Sequence, residues 1–136
     1  MKRVFVDTSA IFAHVVAEDR LHARAVPLFR KAATENWNLV TTNSVVCEAY
    51  TLFRTHTRDS RTLALGFLDR VEAGAFTIVR VDTLDETRAV SILRSHEDKV
   101  YSFCDALSFA VMERLGIEEA MAFDRDFQSY GRFRLL

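Results

Sequence analysis

The stretch Arg3-Val4-Phe5-Val6-Asp7-Thr8-Ser9, followed by an apolar run over residues 10–17, decides the fold. Residues of strong β preference run straight into an acid and two hydroxyls, the residue types that suit a helix N-terminus. The reading is strand, turn at Asp7, helix. Outward from it the alternation repeats. Residues 19–36 place Leu21, Ala25, Leu28, Phe29 and Ala32 on a helical stripe, with Pro27 inside it predicting either a kink or two short helices. Residues 38–42 read as a second strand, with Thr42, Asn43 or Ser44 capping a helix that runs to about His56. A further helix over 60–72 ends before Gly74, and a third strand follows over 76–81. Helices are predicted over 85–96 and 102–115, the latter stopped by Gly116, then a fourth strand over 120–123 and a fifth over 133–136. Short apolar strands alternating with amphipathic helices specify a three-layer α/β/α sandwich around a mostly parallel sheet of four or five strands.

Composition sets the outer limits. With 136 residues, one proline, four glycines and no low-complexity tract, the expectation is a single domain spanning 1–136. Asp7 interrupts the N-terminal apolar run long before a signal-peptide core forms, and no apolar stretch approaches the ~20 residues that cross a bilayer. A cytoplasmic protein with no membrane association is expected. Cys47 and Cys104 have no C-x-x-C partner, so reduced, buried thiols are the default, although each directly precedes an acid of interest.

Four acids stand where a small α/β domain favours apolar or capping residues: Asp7, Glu48, Asp105 and Asp124. Asp7 and Asp124 close predicted strands, and the carboxyl ends of strands are where ligands collect in parallel sheets. Each also suits an ordinary helix N-cap. Asp105 shares a helical arc with Phe109 and Met112, which directs a carboxylate into a buried face, and Ser102 three residues earlier offers it a capping box. Glu48 lies at the margin of the stripe formed by Val45, Val46, Ala49 and Phe53, and solvent is its simple alternative. His14, His22, His56 and His96 show no metal-ligand spacing. Carboxylates gathered together repel unless protons or cations neutralise them, so the pattern predicts a metal site.

The net charge of −1 argues against a polyanionic ligand. Committing four of the 19 acids to cations leaves 15 against 18 basic residues, a balance of +3. Fifteen of the basic residues are arginines, whose planar fork suits phosphate and stacked bases; Arg54, Arg58, Arg61 and Arg125 are unranked candidates for such contacts.

With Asp7-Thr8-Ser9 after a strand, Thr42-x-x-Val45-x-x-Glu48 on a helix, Ser102-x-x-Asp105-Ala106 opening a late helix, and Ala122-Phe123-Asp124-Arg125-Asp126-Phe127 near the end, the chain resembles the PIN-domain nucleases. Among them it is similar to the VapC-type toxin ribonucleases. The resemblance covers nearly the whole chain. It implies a catalytic, metal-holding quartet of Asp7, Glu48, Asp105 and Asp124 binding Mg²⁺ or Mn²⁺, with the Ser9 hydroxyl beside it. It also implies an RNA substrate, tRNA or rRNA cut at a single-stranded loop, a homodimer, and neutralisation by a cognate antitoxin protein. One departure is visible, Cys104 standing where relatives often carry Thr or Ser. A haloacid-dehalogenase-like phosphatase needs an acid at position 9, which is Ser, and a receiver domain needs a late lysine, whereas none follows Lys99. A noncatalytic scaffold of the same fold is the alternative function.

Overall fold

The computed structural model describes residues 1–136. Its elements are β1 (Arg3–Val6), α1 (Thr8–Val15), α2 (His22–Thr34), β2 (Asn38–Thr42), α3 (Asn43–His56), α4 (Ser60–Glu72), β3 (Thr77–Val79), α5 (Thr83–Ser95), α6 (Phe103–Leu115), β4 (Glu119–Met121), α7 (Arg125–Tyr130) and β5 (Arg134–Leu135). The five strands form one parallel sheet in the order β3-β2-β1-β4-β5. Val4, Phe5 and Val6 of the central strand have no exposed surface, as expected of a strand covered on both faces. The predicted three-layer α/β/α architecture is the one observed.

The strand order fixes where the molecule opens. The chain moves from β1 to β2 on one side and later returns to place β4 on the other, so β1 and β4 flank the point of reversal. Val6 pairs with Met121, and the Asp7 amide donates to the Met121 carbonyl at 3.0 Å. The chain segments leaving these two strands therefore start side by side.

Two predictions needed revision. Of the two outcomes expected at Pro27, two short helices is excluded: α2 runs unbroken from His22 to Thr34 with the proline on its solvent side. Its start is later than the stripe suggests, because the Asp19 carboxylate accepts the Leu21 amide at 2.9 Å and holds the preceding residues in a turn. The second revision is α7, a six-residue helix that the sequence reading did not contain. Phe127 and Tyr130, three residues apart, plant it in the core, where the Tyr130 ring stacks on Phe109 at 4.1 Å and Phe127 meets the same ring edge-on at 4.9 Å. Helix α6 is buried from Asp105 through Met112 without a gap, packed against α5 and α3. No helix is long and apolar enough to cross a membrane.

Candidate metal centre

Asp7 follows β1 and caps α1. Its Oδ2 accepts the Ser9 amide at 3.2 Å and the Ser9 hydroxyl at 2.7 Å. Asp124 follows β4 and caps α7, its Oδ1 accepting the amides of Asp126 at 3.1 Å and Phe127 at 3.4 Å. Asp105 stands in the first turn of α6 and closes a reciprocal box: Ser102 Oγ accepts the Asp105 amide at 2.9 Å, and Asp105 Oδ2 accepts the Ser102 amide at 3.1 Å. The capping role and the clustering of acids, rivals in the sequence, coexist in all three. Each carboxylate accepts the amide ends of a helix with one oxygen.

The three carboxylates converge. Ligand oxygens of Asp7, Asp105 and Asp124 lie within 4.8 Å of one another. Asp7 and Asp105 are 2% and 6% exposed, so water screens their repulsion poorly. Burial first, and then the Asp124 charge, holds the Asp7 carboxyl well above the usual carboxylate range. Burial, followed by the close approach of Asp126, pushes Asp105 up to about 7. The N-terminal ends of α1 and α6 point partial positive charge at the group and offset part of this, but not enough to restore ordinary acidity.

Ser9 joins two segments. Its hydroxyl donates to Asp7 and accepts the Phe123 amide at 2.9 Å, tying the start of α1 to the strand end that delivers Asp124. Glu48 is half-buried on α3 and stands outside the three-oxygen group. It adjoins the site through Cys104: burial first, then the charges of Glu48, Asp7 and Asp105, push that thiol up, so it stays protonated and able to donate to the Glu48 carboxylate. Cys47, by contrast, is exposed. The histidines stay out, His22 and His96 facing backbone carbonyls at 2.8 Å and 2.7 Å, His14 stacking on Phe29, and His56 beside Thr55.

Two residues beside the group were not singled out from the sequence. Asp126 presses on Asp105, and its only signal was the acid repeated at a spacing of two after Asp124. Arg24, from α2, lies over the Phe123 ring at 4.7 Å and lines a cleft of about 440 Å³ with Asp124 and Gln128. Nothing local in the sequence of α2 marks it. Arg54, Arg58, Arg61 and Arg125 are exposed and take part in no ion pair.

An all-oxygen, anionic donor set suits a hard divalent cation. Ligand oxygens of an octahedral Mg²⁺ or Mn²⁺ at about 2.1 Å are spaced by roughly 3–4 Å, so the observed separation closes on an ion with small side-chain adjustments. The residues fit the group.

Residues 4–132 match the model of the PIN domain family. Over 134 residues the chain is 38% identical to the 23S rRNA-specific endonuclease VapC20 of Mycobacterium tuberculosis, the alignment covering 94% of each. The crystal structure of that relative, described as a Sarcin-Ricin loop cleaving toxin, superposes with a TM-score of 0.85 and 33% identity over 95% of both chains. The fold extends to more distant proteins such as FitAcB from Neisseria gonorrhoeae, with a TM-score of 0.70 at 13% identity, covering 98% of this chain and 96% of that one. The chain belongs to the PIN domain family.

Proposed function

We propose that this chain, as a single domain over residues 1–136, is a divalent-cation-dependent endoribonuclease that hydrolyses phosphodiester bonds of ribosomal RNA. The observation that carries the reading is the meeting of three carboxylates, two of them buried and one half-buried, at the switch point of a parallel sheet. The relative's printed specificity supports 23S rRNA, at an exposed loop, as the substrate class. By the same likeness the protein is the toxin of a pair, a cytoplasmic homodimer silenced by its own antitoxin protein.

In this reading Asp7, Asp105 and Asp124 hold Mg²⁺ or Mn²⁺ with their remaining oxygens. The ion, when bound, supplies neutralisation of charge on the phosphate and lowers the pKa of water there. Ser9 fixes the Asp7 rotamer. Glu48, oriented by the Cys104 thiol, positions the attacking water and accepts its proton at the carboxylate. Water oxygen bonds to phosphorus as the bond to the 3′ oxygen breaks, leaving a 5′ phosphate and, after protonation from solvent, a 3′ hydroxyl.

The test is incubation of labelled total RNA and intact ribosomes with the protein and Mn²⁺, with and without EDTA, followed by mapping of new 5′ ends. Fragments that need the metal and vanish with Asp7→Asn support the reading. Binding without fragments moves the assignment to a noncatalytic RNA-binding scaffold.

A further inference from the structure

The chain has fifteen aromatic side chains, eleven Phe, three Tyr and one Trp, and Phe103 is the one among them that is exposed. Its side chain is at the first position of α6, the residue is 47% exposed, and its ring forms no aromatic pair. Scattered aliphatic exposure is ordinary on any surface, but a bare phenyl ring in a chain that buries the other fourteen wholly or partly calls for a cause.

Its position supplies one. Phe103 lies between Ser102, whose amide is held by the Asp105 carboxylate, and Cys104, whose thiol abuts Glu48. Side chains on an α-helix lean toward its N-terminus, and the N-terminus of α6 is the end that opens on the acid group. Phe103 therefore shares the first turn of α6 with Asp105, its ring exposed while the Asp105 carboxylate, two residues on, is buried.

We infer that Phe103 is the platform on which an unpaired nucleobase flanking the scissile phosphate stacks, a positioning contact for the RNA. The inference rests on the nuclease reading above and adds to it how the strand is aligned. Single-stranded RNA is bound by stacking its splayed bases on aromatic rings, and a face that offers a ring without neighbouring base-edge hydrogen-bond partners selects for an unpaired base while tolerating its identity. A duplex, whose bases are already stacked, gains nothing from the ring.

The experiment is a cycle of two proteins and three substrates: the parent and Phe103→Ala, each cutting a loop oligonucleotide and versions made abasic at either position flanking the cut. The expected result is a loss of kcat/KM of roughly 5- to 100-fold for Phe103→Ala on the intact loop. The same loss should appear in the parent on one abasic substrate, with no further loss when the two changes are combined. Hydrolysis of bis(p-nitrophenyl) phosphate with Mn²⁺ should be unaffected by Phe103→Ala, and Phe103→Trp should restore RNA cutting. Equal, additive losses in the cycle, or an RNA rate equal to the parent's, overturn the inference. So does a loss of diester hydrolysis matching the loss on RNA, which assigns the ring to support of α6. A change of oligomeric state with unchanged RNA cutting gives the ring to a second copy of the chain. If the parent cuts no RNA, the nuclease reading fails separately. Phe103→Trp then reads the contact directly, by quenching of its fluorescence above the Trp37 background on adding single-stranded RNA in Ca²⁺, and absence of quenching overturns it.

Discussion

Asp105 does two jobs with one side chain. One oxygen closes the Ser102 box and the carboxylate stands beside Asp7 and Asp124, so replacing Asp105 by Asn keeps the cap acceptor and removes the charge. Asp105→Asn should lower kcat at least 10³-fold, measured on RNA in Mn²⁺, while melting of the metal-free protein moves upward. The sign follows from the raised pKa. A carboxyl that holds its proton to about 7 when folded and to about 3.8 when unfolded favours the folded chain at low pH, and that advantage disappears as pH rises across this window. At pH 8 removing the charge is worth roughly 2–4 kcal/mol, or about 5–10 °C. Parallel melting curves at pH 5 and pH 8 check it, and an equal shift at both would sink the account. Asp7, Asp105 and Asp124 were legible in the sequence because each interrupts an apolar or strand-to-helix pattern with a charge. Asp126 and Arg24 were not, because only the tertiary fold brings them beside Asp105 and Asp124.

At the scale of elements, the N-terminal turn of α5 is clipped to α6 by one ion pair. Asp85 is 1% exposed, completes a capping box with Asp82, and receives Arg114 Nε at 2.7 Å and Nη2 at 2.9 Å. Those bonds, above all the one from Arg114, hold its pKa below the ordinary carboxylate value. The stability it contributes is present above about pH 4 and is lost as pH falls through the depressed value, the reverse of Asp105. Arg114→Ala strands a buried carboxylate and should cost about 3 kcal/mol, read by urea unfolding at pH 7, whereas the pair Arg114→Leu with Asp85→Leu should recover much of it. A negligible effect of Arg114→Ala would show that water replaces the guanidinium. Strands were legible as short unbroken runs of apolar and β-branched residues, and long helices because a period-3.6 stripe extends over several turns. Helix α7 was not, since six residues give no stripe and its existence depends on the Asp124 cap and on Phe127 and Tyr130 reaching Phe109 from a distance. The helix continues through Pro27 because a solvent-facing proline removes one donor without removing the packing of Ala25 and Ala32 beneath it.

For the whole molecule, fold and ion are linked equilibria. The metal-free chain holds a repulsive group at its centre, so a cation that binds only the folded state should raise the melting temperature, by about 2.7 kcal/mol at a hundredfold excess over its Kd. The shift should grow from pH 5 to pH 8, as Asp105 and Asp7 surrender protons to the ion, and calorimetry with Mn²⁺ and with EDTA measures it directly. A shift independent of pH would place the ion elsewhere.

The central strand is made first and its neighbour β4 almost last, since the sheet order sets β1 between β2 and β4. A nascent polypeptide emerging during translation can assemble β1, β2 and β3 and display Asp7, yet the slot that brings Asp124 beside it stays vacant until β4 has emerged. The order of synthesis thus defers the acid group: its third carboxylate arrives only after six of the seven helices have been made.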